Sequence, residues 1–174
     1  MAPLQPHVGP ARVPGVTVSD FEAFYRGTAP RLMRFAYGLT GGLAEAQDFT
    51  QEAYARAWQR WPSLQRYDNP EAWLRLVVTR LATDWWRRLT VRRSAALPEP
   101  PHVPPPDEEL MTVVAALKKL PIDQRRALAM HYLLDQSVAE IAVELSVPVN
   151  TVKSWLARGR AGLAAALGER SHVN

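Results

Sequence analysis

A chain of 174 residues with 47% apolar side chains can bury one ordinary core or two small ones, which excludes collagen-like and wholly disordered classes. It has no cysteine, which excludes disulfides, thiol nucleophiles and cysteine-ligated zinc; the opening MAPLQPHVGPARVPGVTVS carries neither a secretory signal nor a membrane span, which points to the cytoplasm. The 21 basic and 17 acidic residues nearly balance in number but not in place, because six arginines from Arg75 to Arg93 face the single acid Asp84.

Four of the fifteen prolines lie in residues 1–14 and six in residues 98–106. They divide the chain into an N-terminal tail (1–18), a first helical domain (19–93), a Pro-rich linker (94–107), a second helical domain (108–168) and a C-terminal tail (169–174). Ser19 and Glu22 have the spacing of a capping box, with Val18 placed as a hydrophobic staple. The helix they open runs to Gly41-Gly42, with room for a bend around Gly27–Pro30. A second helix runs from about Leu43 to Trp61 and stops at Pro62. Asn69, Pro70 and Glu71 then supply an N-cap, a first-turn proline and a first-turn acid for a third helix through WLRLVVTRLATDWWRR.

The stretch AALPEPPHVPPPDEE cannot sustain a helix and lacks the alternation of a strand, so it is expected as an extended tether or passive spacer. Beyond it Asp107 can cap ELMTVVAALKKL, Pro121 restarts the chain into DQRRALAMHYLLD, SVAEIAVEL is short, and TVKSWLARGRAGLAAAL is last. No segment alternates as a strand does. The expected fold class is all-α, two small helical domains joined by a Pro-rich linker.

Val138, Ile141, Ala142 and Leu145 on a short helix, a break at Ser146-Val147-Pro148 and a new helix near Asn150 match helix-turn-helix spacing. On the new helix Val152, Leu156 and Leu163 share one face, and Lys153, Ser154, Ala157, Arg158 and Ala161 the other. Small and basic residues let a helix enter a major groove, although an αα-hairpin with a solvated basic face has the same pattern. Trp155 falls between the faces, either covering the core or packing on a sugar or thymine methyl.

On the third helix Trp73, Leu74, Val77, Val78, Leu81 and Trp85 form the core stripe. Arg75, Thr79, Arg80, Thr83, Trp86 and Arg87 face away from it, and the preceding loop offers Trp61, Arg66 and Tyr67. Cations beside a flat ring suit single-stranded nucleic acid; contact with a neighbouring helix would account equally for Trp86. Asp48, Gln51 and Glu52 make a polar face for a protein partner, or a merely solvated one. With no Gly-rich phosphate loop, nucleophile–histidine pair or metal cluster, no catalytic residue, metal or cofactor is expected, and the chain does not read as an enzyme. His131 reads as a packed or capping residue.

Three segments occur in order around the linker: AEAQDFTQEAYARAWQRW, NPEAWLRLVVTRLATDWWRR and LKKLPIDQRRALAMHYLLDQSVAEIAVELSVPVNTVKSWLARGRAGL. Together they resemble the extracytoplasmic-function (ECF) sigma factors, two-domain promoter-specificity subunits of bacterial RNA polymerase, from about Asp20 to Leu167. The resemblance implies an alternative sigma factor that binds core RNA polymerase and promoter DNA, duplex and single-stranded, with room for an anti-sigma partner and no membrane role. It places Asp48, Gln51 and Glu52 on the polymerase clamp. Arg66, Tyr67, Arg75, Thr79, Arg80, Thr83, Trp86 and Arg87 fall on the elements that open the minus-ten sequence. Asn150, Lys153, Ser154, Trp155 and Arg158 fall on the helix that reads the minus-thirty-five sequence, in the domain that also meets the polymerase flap. The chain departs from the family at Arg80, commonly Asn, and at Asn150 and Trp155, commonly Gly and Arg.

Physical reasoning favours the same assignment. A lone helix-turn-helix usually gains affinity through dimer symmetry, whereas this chain carries two dissimilar basic surfaces on one tether. About 15 extended residues reach roughly 45 Å. Elements roughly 16–18 base pairs apart lie roughly 55–60 Å from each other, which linker plus domain widths can span.

Overall fold

The computed structural model describes residues 18–92 and 108–171, and among these there is no strand. The linker, the tail over 1–17 and the cap expected at Asp107 lie outside the described residues. Helices α1 (Val18–Thr40), α2 (Leu43–Leu64) and α3 (Pro70–Arg92) form a first bundle. Its interior is Leu32, Phe35, Ala36 and Leu39 of α1, Ala53, Tyr54, Ala57 and Trp61 of α2, and Leu74, Val77, Val78 and Ala82 of α3. The third-helix stripe expected from periodicity is the one that packs.

Two helix ends differ from expectation. Ser19 is already helical, so it is not the N-cap, and the capping box with Glu22 is not the device that starts α1. α2 does not stop at Pro62 but runs on to Leu64. Proline removes one N–H from the ladder, but Trp61 is 5% and Leu64 2% exposed, so their burial holds the last turn against that loss. Trp61 therefore belongs to the core, edge-on to Phe21 at 5.3 Å, and is not a loop residue open to a ligand. Beside it the Tyr54 hydroxyl and Thr28 Oγ1 lie 2.6 Å apart, and burial pushes the phenol up to about 12. Asn69 caps α3 as expected, its Oδ1 accepting from the Ala72 N–H at 3.0 Å.

Helices α4 (Glu108–Leu117), α5 (Ile122–Leu128), α6 (Val138–Leu145) and α7 (Val149–Ser171) form a second bundle, with a π turn at Ala129–Leu133 extending α5. α6 begins with a reciprocal cap: Ser137 Oγ accepts from the Glu140 N–H at 3.2 Å, and Glu140 Oε2 accepts from the Ser137 N–H at 2.7 Å. These bonds hold the Glu140 carboxyl below the usual range. Its stabilising contribution is therefore present above the ordinary glutamate pKa and fades as pH falls through the lowered one. Ser137→Ala is expected to cost about 1 kcal/mol at neutral pH. Thermal unfolding of the two proteins should show a smaller gap at strongly acid pH than at pH 7.

The two bundles pack on each other, with α1 against α4, α5 and the π turn, and their buried apolar residues form one continuous cluster. Arg125 sits at the junction, 4% exposed. Its guanidinium donates to the carbonyls of Leu117 (2.8 Å), Lys118 (2.8 Å) and Leu120 (2.9 Å) at the end of α4, and to that of Leu39 (2.7 Å) near the end of α1. Helix C-termini leave carbonyls without intrahelical donors, and a cation there also meets the negative end of each helix dipole. Burial draws the Arg125 pKa down to about 10, which leaves it charged at neutral pH.

Candidate nucleic-acid interface

The turn between α6 and α7 is held by backbone. Ser146 adopts a left-handed conformation (φ 54°), Val147 N–H donates to the Ala142 carbonyl at 3.0 Å, and Thr151 N–H donates to that of Pro148 at 3.0 Å. Val152 and Leu156 are buried, and Leu163 packs against the same cluster. Gly159 brings α7 close to α5, because a Cβ there would stand 2.8 Å from Leu128 Cδ1 and 3.1 Å from its Cγ. With that face fixed, Asn150, Lys153, Ala157, Arg158 and Ala161 point to solvent and Ser154 is half-buried. Trp155 is half-buried and packs against the core cluster with part of its surface left to solvent. Arg160 is also exposed, with Nη1 3.5 Å from the Tyr132 hydroxyl. It was not among the expected residues, although the Arg-x-Arg spacing with Arg158 signals it.

α3 differs more. Arg80 and Arg87 are exposed, as are Arg66 and Tyr67 before the helix. Arg75 and Thr79 were expected on an open face and are buried, at 5% and 6% exposed. Arg75 donates through Nε to Glu144 Oε1 at 2.6 Å and through Nη2 to Oε2 at 2.8 Å, a bidentate pair with α6. Its Nη1 lies 3.3 Å from Glu71, which also receives two bonds from Arg31. The hydroxyls of Thr79 and Thr83 each donate to the carbonyl four residues back at 2.7 Å. Trp86 does not stand in solvent: its Nε1 donates to the Leu39 carbonyl at 3.1 Å and Arg125 lies 4.9 Å from its ring centroid. The reasons differ: Arg75 is met by Glu144 of the second bundle, Thr79 bonds back within α3, and Trp86 is held by the Leu39 carbonyl of α1 under Arg125. A cleft of about 250 Å³ remains there, lined by Tyr67, Asn69, Trp73, Arg75, Arg126 and Glu144 among others.

Asp48, Gln51 and Glu52 are exposed together on α2, and Glu52 pairs with Arg56 at 2.7 Å. His131 is a local cap, its Nδ1 lying 2.7 Å from the Gln136 carbonyl oxygen. Among the described residues no three His, Asp or Glu converge as a metal set, and no helix is long and apolar enough to cross a membrane.

An α2–α3 unit with a polar outer face, followed by a helix-turn-helix with a basic outer face, is the build of a two-part transcription factor. Sigma-70 region 2 matches residues 24–92 and Sigma-70 region 4 matches residues 110–163. The RNA polymerase sigma-E factor of Streptomyces coelicolor is 31% identical over 150 residues, covering 84% of this chain and 85% of that protein. The ECF RNA polymerase sigma factor SigE of Mycolicibacterium smegmatis is 33% identical over 165 residues; this chain is covered to 87% and spans 63% of that longer relative. Among solved structures, the sigma factor RpoE of Bartonella quintana, in complex with the anti-sigma factor NepR, superposes with a TM-score of 0.68 at 25% identity, covering 87% of this chain and 98% of that one. The chain belongs to the ECF sigma factors of RNA polymerase. It is an alternative sigma factor for promoter-specific transcription initiation.

Proposed function

We propose that the chain docks on the clamp of core RNA polymerase through Asp48, Gln51 and Glu52, and reads the minus-thirty-five duplex with Asn150, Lys153, Ser154 and Arg158 of α7. The second bundle also meets the polymerase flap. Arg66, Tyr67, Arg80 and Arg87, exposed on α3 and before it, hold the opened minus-ten strand, with Thr83 and Trp86 half-buried beside them. Trp155 supports the reading helix from the core side. The observation that carries this assignment is the outer face of α7, where cations and small side chains are exposed while the opposite face is locked on α5.

Strand opening then needs no covalent chemistry: unstacking a base costs a few kcal/mol, offset by phosphate contacts and by capture of the base. No catalytic group, metal or cofactor takes part, and the chain works in the cytoplasm beside its template. An anti-sigma protein covering the polymerase and promoter surfaces would antagonise it, as the complex of the Bartonella relative suggests.

Lys153→Ala and Arg158→Ala test the reading helix. Measured as holoenzyme binding to promoter DNA across a salt series, loss of a phosphate contact at Lys153 should weaken all sequences alike and lower the salt slope by about one. Loss of a base contact at Arg158 should cost ~1–3 kcal/mol and relax preference at one position. If the double variant leaves slope, preference and promoter strength unaltered, α7 is not the reader.

A further inference from the structure

We propose that Tyr132 and Arg160 form a phosphate clamp, in which the tyrosine hydroxyl holds the guanidinium and both grip one backbone phosphate of the duplex beside the bases that α7 reads. The proposal rests on the assignment of α7 as the reading helix, and its test separates the two.

The π turn that extends α5 presents the tyrosine. Such turns are rare and are found frequently at functional positions. Here Ala129 and Met130 of the turn are buried, while Tyr132 stands 54% exposed. The ring is nevertheless fixed. His131 packs edge-on against it, with centroids 4.8 Å apart and planes at 81°, and His131 Nδ1 lies 2.7 Å from the Gln136 carbonyl oxygen. The Gln136 N–H donates in turn to the Met130 carbonyl at 3.2 Å, which closes the segment back on the π turn. An aromatic side chain braced in this way loses little freedom on meeting a ligand.

Arg160 lies about two helical turns beyond Lys153, so the two side chains leave the same face of α7, roughly 10 Å apart along its axis. Ala157, Ala161 and Ala164 on this side are exposed and small, which lets DNA approach along the whole stripe. Among the described residues the one polar contact of Arg160 is with Tyr132, Nη1 lying 3.5 Å from the hydroxyl oxygen. That contact uses one nitrogen of the fork and leaves Nε and Nη2 for a phosphate. A phenol hydroxyl accepts and donates at once, so while accepting from Arg160 it keeps its own proton for a phosphate oxygen. A separation of 3.5 Å is long for a hydrogen bond, and an anion that draws on both groups closes it. The phosphate then meets one cation and one neutral donor, a contact that fixes the register of α7 on the duplex and is blind to base identity.

The test is holoenzyme binding to promoter duplex across a salt series, with ethylation of single phosphates as an interference map. In the parent, ethylation of one phosphate flanking the minus-thirty-five bases should interfere with binding. In Arg160→Ala that interference should disappear and the salt slope should fall by about one. Tyr132→Phe keeps the ring against His131 and the charge of Arg160, so helical circular dichroism and salt slope should stay unchanged while affinity falls about two- to tenfold, the weight of one hydrogen bond. The double variant Y132F/R160A should bind as Arg160→Ala does alone, because the hydroxyl acts together with the guanidinium. An unaltered slope and interference map in Arg160→Ala, parent affinity in Tyr132→Phe, or losses that simply multiply in the double variant would each overturn the clamp. If Lys153→Ala and Arg158→Ala lower the slope and relax base preference while Arg160→Ala does neither, the clamp fails and the reading helix stands. If the Lys153 and Arg158 variants are also silent, the reading assignment itself has failed and the clamp falls with it.

Discussion

Replacing Arg125 with alanine is expected to lower the free energy of unfolding by about 3–5 kcal/mol. The side chain is buried and donates to four main-chain carbonyls, three at the end of α4 and one near the end of α1. Truncation removes charge-assisted bonds worth about 1.5–3 kcal/mol each at best, and leaves carbonyl oxygens that cost about 1–3 kcal/mol when neither water nor protein reaches them. Partial access of water to the exposed Lys118 limits the sum. At a urea slope of about 2 kcal/mol/M the midpoint, followed by helical circular dichroism, should fall by roughly 1.5–2.5 M. Arg125→Lys should recover little, because an ammonium cannot reproduce a planar fork aimed at separate carbonyls. A midpoint unchanged in Arg125→Ala would mean that water replaces the guanidinium without cost.

The second large effect is expected on binding. Reversing both acids in Asp48→Lys/Glu52→Lys should weaken association with core polymerase by about two orders of magnitude, since like charges set against each other at a docking surface cost several kcal/mol. The fold should barely respond. Both side chains are exposed, and the only described pairing is Glu52 with Arg56 one turn on, a contact worth about 0.3–0.5 kcal/mol. Competition for core polymerase at fixed salt, alongside thermal unfolding of the free variant, separates the two quantities. Core affinity unchanged within a factor of two would remove α2 as the docking element.

The all-α class and most helix positions were legible before the structure because their causes are local. Asn69-Pro70 starts α3 by capping chemistry confined to a few residues, and the apolar spacing of Leu74, Val77 and Val78 reports a face that must be buried by something. Which face of α7 is exposed was legible for the same reason. Val152, Leu156 and Gly159 bury one side within their own bundle, so the opposite side with Lys153 and Arg158 is left exposed. The reciprocal cap of α6 was equally visible as Ser-x-x-Glu at Ser137 and Glu140.

Long-range packing decided the rest. Local chemistry stops a helix at Pro62, and only the burial of Trp61 and Leu64 carries α2 past it. Helical periodicity identified the face of α3 that carries Arg75 and Trp86 as polar, but a polar face is covered as readily as an apolar one when its partner brings matching groups. Here the partner is Glu144, 69 residues further along, together with Arg125. The oxygen that joins Trp86 to Arg125 belongs to the main chain of Leu39, and a backbone carbonyl left over at a helix end has no residue type to announce it. Secondary structure and the apolar faces follow from interactions within a few turns of chain, whereas which polar face is masked depends on how two bundles meet.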